Sequence, residues 1–286
     1  MTSPSAVPPT AHQMADFYDA LGPLLRMSWS DNFHLGYWEG PGDGSSPQEA
    51  TDRFTDLLVS RLGVGAGDVV LDAGCGIGSP ALRLASLTGA RVVGITISRQ
   101  QVEQARELAR EAGMAERVEF RYADAMDTPF EAESFDAVLA FESIVHMERP
   151  TALREMARVL KPGGRLVLTD VFQPQPQEEE ATDAGPFDPA FATIREEDSP
   201  DMTSFVRLDD WPGLVSDAGL VLDELTDVTR NVEQTFARML DGFLDHRREF
   251  ESRYGVRLEQ VLDSAKLSAQ PNPASVGCLV MAATKP

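Results

Sequence analysis

Val69-Val70-Leu71-Asp72-Ala73-Gly74-Cys75-Gly76-Ile77-Gly78-Ser79-Pro80 is the stretch whose reading decides the fold. It opens as an apolar strand ending in an acid, passes through a turn with glycine at alternate positions, and closes on a helix start. Ser79 is the expected cap and Pro80 suits the first turn. Glycines at 74, 76 and 78 remove side chains where a nucleotide-like ligand must approach the backbone. In an open α/β sheet, ligands gather beyond the carboxyl ends of the strands, where this turn must lie. Nicotinamide-binding sheets also place glycines after the first strand, but spaced G-x-G-x-x-G, with an acid about 20 residues on. Here the third glycine comes one residue early, and the second strand runs into Gly94-Ile95-Thr96-Ile97-Ser98 without an acid.

Working outward, apolar runs at 69–72, 91–95, 118–123, 135–141 and 164–170 alternate with helical spacing near 80–88, 98–112 and 150–160. That alternation predicts a Rossmann-like, doubly wound, mostly parallel α/β sheet carrying helical and loop lid insertions. Ahead of it, Ser46, Pro47 and Glu49 predict a boxed helix start, with Phe54, Leu57, Leu58 and Leu62 on one face. Residues 173–210 are rich in Pro, Glu, Asp and Gln and read as a long loop. A short helix at 211–218 and a strand at 220–228 return to the core, 232–267 reads as helical, and 275–284 supplies the last strand. Met14, Phe17, Tyr18, Leu21 and Leu25 share a helical spacing interrupted at Gly22-Pro23. The expected organisation is an N-terminal lid segment 1–45, a core 46–170, a lid insertion 171–210, core 211–228, a helical lid insertion 229–268 and a final core strand 269–286.

The 286 residues can bury a large core, and the formal charge of −21 disfavours nucleic acid and anionic membrane surfaces as partners. Two cysteines are too few for a disulfide framework, the first residues lack the pattern of a secretory signal, and no run is long and apolar enough to span a bilayer. A cytoplasmic protein follows as the expectation. No set of residues reads as a metal site.

The Asp-x-Gly-x-Gly-x-Gly turn, Asp124-Ala125, Phe135-Asp136-Ala137-Val138 and Lys161-Pro162-Gly163-Gly164 together resemble the class I S-adenosylmethionine-dependent methyltransferases. Asn32-Phe33-His34-Leu35-Gly36-Tyr37-Trp38, Gly94-Ile95-Thr96-Ile97-Ser98 and Glu142-Ser143-Ile144-Val145-His146-Met147 extend the similarity to natural-product tailoring enzymes of the rebeccamycin sugar O-methyltransferase type, and more distantly to the sterol C-methyltransferases. The resemblance implies S-adenosylmethionine as cofactor and a small-molecule acceptor. It implies that Asp72, Gly74 and Gly76 hold the methionine end and that Asp124 and Ala125 meet the adenine. Thr96 stands where the family places a ribose-binding acid, and Gln101 is the expected substitute, although Ser98 and Gln101 also fit an S-x-x-Q capping box.

For transfer to a hydroxyl, His146 is the candidate base and Asp170 a group that polarises it or binds the acceptor. The rebeccamycin-type pattern has two adjacent histidines where this chain has Val145-His146. Methylation of an alkene carbon is therefore an alternative, with Glu142, Tyr37 or Trp38 steadying a carbocation. Glu142 can also serve the cofactor amine, Tyr18 is a candidate acceptor contact, and Tyr37 and Trp38 can equally be core. A nicotinamide oxidoreductase and a non-catalytic binding protein on the same fold are the remaining classes.

Overall fold

The computed structural model describes residues 22, 24–30, 32, 34–172, 206–255, 257–259 and 277–286. The capped helix is present as α1 (Pro47–Leu62): Ser46 accepts from the Glu49 amide, the Glu49 side chain reaches back, and Gly63 closes the helix at φ 66°. Phe54, Leu58 and Leu62 are buried beneath it.

Among the described residues, seven strands form one sheet: β1 (Val69–Ala73), β2 (Arg91–Thr96), β3 (Val118–Tyr122), β4 (Phe135–Ala140), β5 (Leu160–Phe172), β6 (Val221–Asp227) and β7 (Gly277–Thr284). Their spatial order is β3-β2-β1-β4-β5-β7-β6. β1 to β5 pair in parallel, as expected for strands joined by helical crossovers. β7 runs antiparallel between β5 and β6, and it is buried almost end to end because it is covered on both faces. Strand order reverses between β1 and β4, so a crevice opens at their carboxyl ends.

The crossover helices are α2 (Ser79–Thr88), α3 (Arg99–Glu111) and α4 (Arg149–Val159), followed by α5 (Trp211–Asp217). Period-two alternation sends Val70, Leu139 and Val280 into the layer under α1, α2 and α3. Leu71, Val138 and Met281 point into the opposite layer with Leu153, Met156 and Trp211.

Several boundaries differ from the sequence reading, among them the start of β5, at Leu160 rather than 164. β5 continues past Asp170 to Phe172, because Val171 and Phe172 still find partners in Cys278 and Gly277. The helical stretch expected at 232–267 divides into α6 (Thr229–Val232), α7 (Gln234–Asp245) and α8 (Arg247–Tyr254), and 260–267 lies outside the described residues. Of the N-terminal helix, residues 24–28 are helical, whereas Tyr18 lies outside the described residues, as does most of the 171–210 insertion.

The N-terminal segment and the 229–254 helices form one unit. Leu24, Leu25, Trp29, Trp38 and Ala50 bury against Phe243, Phe250 and Leu258, making a cap with its own small core. No helix among the described residues is long and apolar enough to cross a membrane.

Candidate active site

The turn after β1 is fastened to β2: the amides of Gly74 and Cys75 both donate to the Ile95 carbonyl at 2.9 Å. Its three glycines serve different ends, which corrects the expectation that all were left bare for a ligand. A Cβ on Gly74 would lie 2.2 Å from Ser143 Cβ, and one on Gly78 would lie 2.4 Å from Phe120 Cζ. Those two positions admit neighbouring side chains. Gly76, at φ +54°, meets nothing within 4 Å of an added Cβ and faces open space.

Asp72 sits just below, buried, with Oδ2 lacking a hydrogen-bond partner among the described residues. Burial pushes its carboxyl up to about 7. An unpartnered buried carboxylate is costly unless a cation meets it.

From β4 the chain enters a short arch over residues 143–149. Ser143 Oγ donates to the Ala73 carbonyl at 2.5 Å, a contact that the missing Gly74 side chain permits. A single 3-10 turn (Ile144–His146) follows, with the His146 amide on the Ser143 carbonyl at 3.2 Å. At the far end Arg149 enters α4 and pairs with Asp170 through two bonds, Nε to Oδ2 at 2.5 Å and Nη2 to Oδ1 at 2.9 Å. His146, half-buried, stands between these anchorages.

Asp170 was expected to polarise His146 or bind the acceptor. Its oxygens instead take the Arg149 fork and the Val171 amide, and its side chain is fully buried, so the structure places it behind the arch. Burial raises the Asp170 carboxyl against the pull of Arg149. Arg149 and Ser143 were missed in the sequence. A readable signal existed for Arg149, since a cation in the first turn of a helix opposes the helix dipole and calls for a local partner.

At the other end of the crevice, Thr96 Oγ1 donates to Gln101 Oε1 at 2.7 Å, and both residues are buried. Ser98 caps α3 by accepting from the Gln101 amide at 3.1 Å. The Gln101 carbonyl oxygen is thus engaged by Thr96, which orients the amide group. Asp124 Oδ1 accepts from the Met126 amide at 2.8 Å, folding the turn after β3 with Ala125 buried beside it.

Glu142 follows β4 with φ +48°, a left-handed conformation that costs a non-glycine residue strain. Its amide donates to Thr169 Oγ1 at 2.8 Å, and its Oε1 accepts from the Leu35 amide at 2.9 Å. His34 stacks on Phe141 with centroids 3.9 Å apart, and its buried Nδ1 lies 4.0 Å from Glu142 Oε2. Burial pushes the Glu142 carboxyl up to about 8 and the His34 imidazole down to about 3.

Tyr37 packs on Phe54 at 5.7 Å. Trp38 is wholly buried in the cap core and its Nε1 donates to the Ser45 carbonyl at 3.3 Å. That corrects the acceptor-contact expectation for Trp38, because a ring enclosed on all sides has no face to offer. No cluster of metal-ligating side chains occurs among the described residues.

The chain matches the model of the methyltransferase domain over residues 71–168. It is 42% identical to methyltransferase GfsG of Streptomyces halstedii over 234 residues, 82% of this chain and 81% of the relative. This chain belongs to the S-adenosylmethionine-dependent methyltransferases. The methyltransferase is also 35% identical over 280 residues, 97% of this chain and 98% of the relative, to 27-O-demethylrifamycin SV methyltransferase of Amycolatopsis mediterranei (strain S699). Among solved structures it is similar to the [4+2]-cyclase SpnF, at 32% identity, TM-score 0.79 and 99% coverage of each chain.

Family membership removes the nicotinamide alternative and makes S-adenosylmethionine the cofactor of this methyltransferase. The residues present fit that group: an unpartnered carboxylate suits its ammonium, and the open backbone at Gly76 leaves room where any side chain would intrude.

Proposed function

We propose that this methyltransferase acts in the cytoplasm and transfers a methyl group to a hydroxyl oxygen of a small secondary metabolite, with His146 taking the hydroxyl proton. One observation supports the reading: the 143–149 arch that carries His146 follows β4 at its carboxyl end and is fastened to β1 through Ser143 and to β5 through Arg149. The name of the rifamycin relative, which specifies an oxygen, supports the same class of acceptor.

Bound in the crevice, S-adenosylmethionine supplies an electrophilic methyl on a sulfonium that leaves as a neutral thioether. Asp72 holds the ammonium, and Gly76 lets the methionine chain lie on bare backbone. Gln101, oriented by Thr96, meets the ribose. Asp124 and Ala125 meet the adenine edge. In-line displacement needs little beyond alignment, so these contacts do most of the work by fixing direction and distance. His146 removes a proton whose retention would leave an oxonium product.

Carbon methylation through a cation draws less support. Glu142, the carboxylate named for that role, has Oε1 committed to the Leu35 amide, while Trp38 is enclosed.

The test is turnover with methyl-labelled cofactor and a panel of hydroxylated polyketides and glycosides, locating the label by NMR and counting S-adenosylhomocysteine. One equivalent per O-methylated product is expected, and His146→Ala lowers kcat by about 100-fold or more while leaving cofactor affinity alone. Label on carbon, or a cyclised product formed without S-adenosylhomocysteine, overturns the reading.

A further inference from the structure

The Arg149 and Asp170 side chains are 2% and 0% exposed, and they meet through a two-pronged guanidinium–carboxylate contact. Nothing about stability calls for this pair. A buried ion pair loses so much hydration that an apolar pair of similar volume is often as stable or more so. The cation also sits at the amino end of α4, where the helix dipole opposes it. What a forked contact supplies is direction, because its two parallel bonds fix the guanidinium plane relative to the carboxylate.

The rest of the arch is built to transmit that direction. Ser143 Oγ fastens its first residue to the Ala73 carbonyl, and Ile144 is wholly buried. The Met147 amide donates to the Ile144 carbonyl at 2.9 Å, and Glu148 caps α4 by accepting from the Thr151 amide at 2.7 Å. Five residues lie between Ser143 and Arg149, and His146 is the middle one.

We propose that Ser143, Arg149 and Asp170 are positioning residues that clamp the arch at both ends and hold His146 at a fixed distance and angle from the acceptor oxygen. The clamp rests on the reading of His146 as the base. Because a misplacement of about 1 Å can cost about 100-fold in rate, losing one anchorage lowers turnover without any group in contact with substrate being removed.

The experiment is a double-mutant cycle in the full-length protein. Arg149→Met/Asp170→Leu keeps the volume and removes both charges, so it is expected to fold and to melt close to the parent. Its kcat is expected to fall by about 30-fold with cofactor Kd unchanged. Introduced into His146→Ala, the same pair is expected to cause no further fall, because there is no imidazole left to misplace. Arg149→Lys, which keeps the charge but not the fork, is expected to fall between parent and pair, and it carries the same cycle if the apolar pair does not fold. An equal fall in both backgrounds makes the pair a packing element and overturns the clamp alone, as does no fall in either. Full turnover by His146→Ala itself overturns the base reading, and the clamp with it.

Discussion

In the turn after β1, almost every role is settled close by: Asp72 sits under the backbone that Gly76 leaves open, and Gly74 and Cys75 tie to the next strand through one carbonyl. The cap that faces it is assembled from partners nearly 200 residues apart. The Trp38 amide donates to the Asn231 carbonyl at 2.8 Å and Asn231 Nδ2 returns a bond to the Trp38 carbonyl at 2.8 Å. The Gly36 amide donates to Thr235 Oγ1 at 3.1 Å, and Arg238 reaches the Asp43 and Ser45 carbonyls while lying 5.3 Å from the Trp38 ring. The turn after β1 is tied by backbone bonds to the neighbouring strand and packed by Ser143 and Phe120. The cap, which the proposed function sets on the acceptor side, is held by polar docking of two distant segments.

The strongest way to break that comparison is to add one carbon to the turn. Gly74→Ala is expected to abolish turnover and lower the melting temperature by several degrees, because its Cβ collides with Ser143 at φ +93° and unseats the arch. Gly76→Ala has room for its methyl and faces only the left-handed strain of about 1 kcal/mol. It is expected to remain folded and to lose about 10-fold or more in cofactor affinity by calorimetry. If Gly76→Ala binds as the parent does, the open space there is not where the cofactor lies.

Much of this half was legible in the sequence because local patterns report local geometry. The Ser46-Pro47-Glu49 box and the strand run at 69–72 are formed as read, whereas the helix after the turn starts one residue early: Gly78, not Ser79, is its cap, and Ser79 is its first helical residue with Pro80 still in the first turn. The glycines were legible as bare positions but not as to what fills them, since Ser143 and Phe120 arrive from other strands and crossovers. Asp170 was read as a strand-end acid but lies inside β5, and its partner became visible only when α4 was laid beside that strand. The cap was the least legible. Trp38 in an aromatic run looks the same in sequence whether its ring lines a pocket or plugs a core, and the deciding contacts with Phe243 and Phe250 lie beyond any local window.

Smaller in effect is the response to pH. The Asp72 and Glu142 carboxyls are raised to about 7 and about 8 in the folded protein, against about 4 in an unfolded chain. The folded state therefore holds more protons between those limits, and each group costs stability as pH rises from about 4 through its folded value. The ligand-free melting temperature is expected to carry this loss between pH 5 and 8.5. An ammonium beside Asp72 reverses the sign for that group, so the rise in melting temperature produced by the cofactor is expected to grow over the same range. Asp72→Asn isolates the contribution: a cofactor effect that keeps its pH dependence in that variant would place the ammonium elsewhere.

The smallest expected effect sharpens the other side of the comparison. Thr235→Val removes the hydroxyl that takes the Gly36 amide in a buried setting, and Asn231→Ala removes one of the two bonds to Trp38. Each costs about 1–2 kcal/mol of cap docking. Because none of these atoms belongs to the turn after β1, cofactor Kd is expected to stay within about twofold, whereas KM for the acceptor rises by about 5- to 30-fold. Glu142 bridges the cap to the end of β4 through the Leu35 amide. Glu142→Gln keeps an acceptor oxygen for that amide and is expected to behave like the parent in KM, whereas Glu142→Ala frees the segment and raises it. Loss of cofactor affinity in the Thr235 or Asn231 variants would mean that the two halves are energetically one, and that the cap closes on the cofactor as much as on the acceptor.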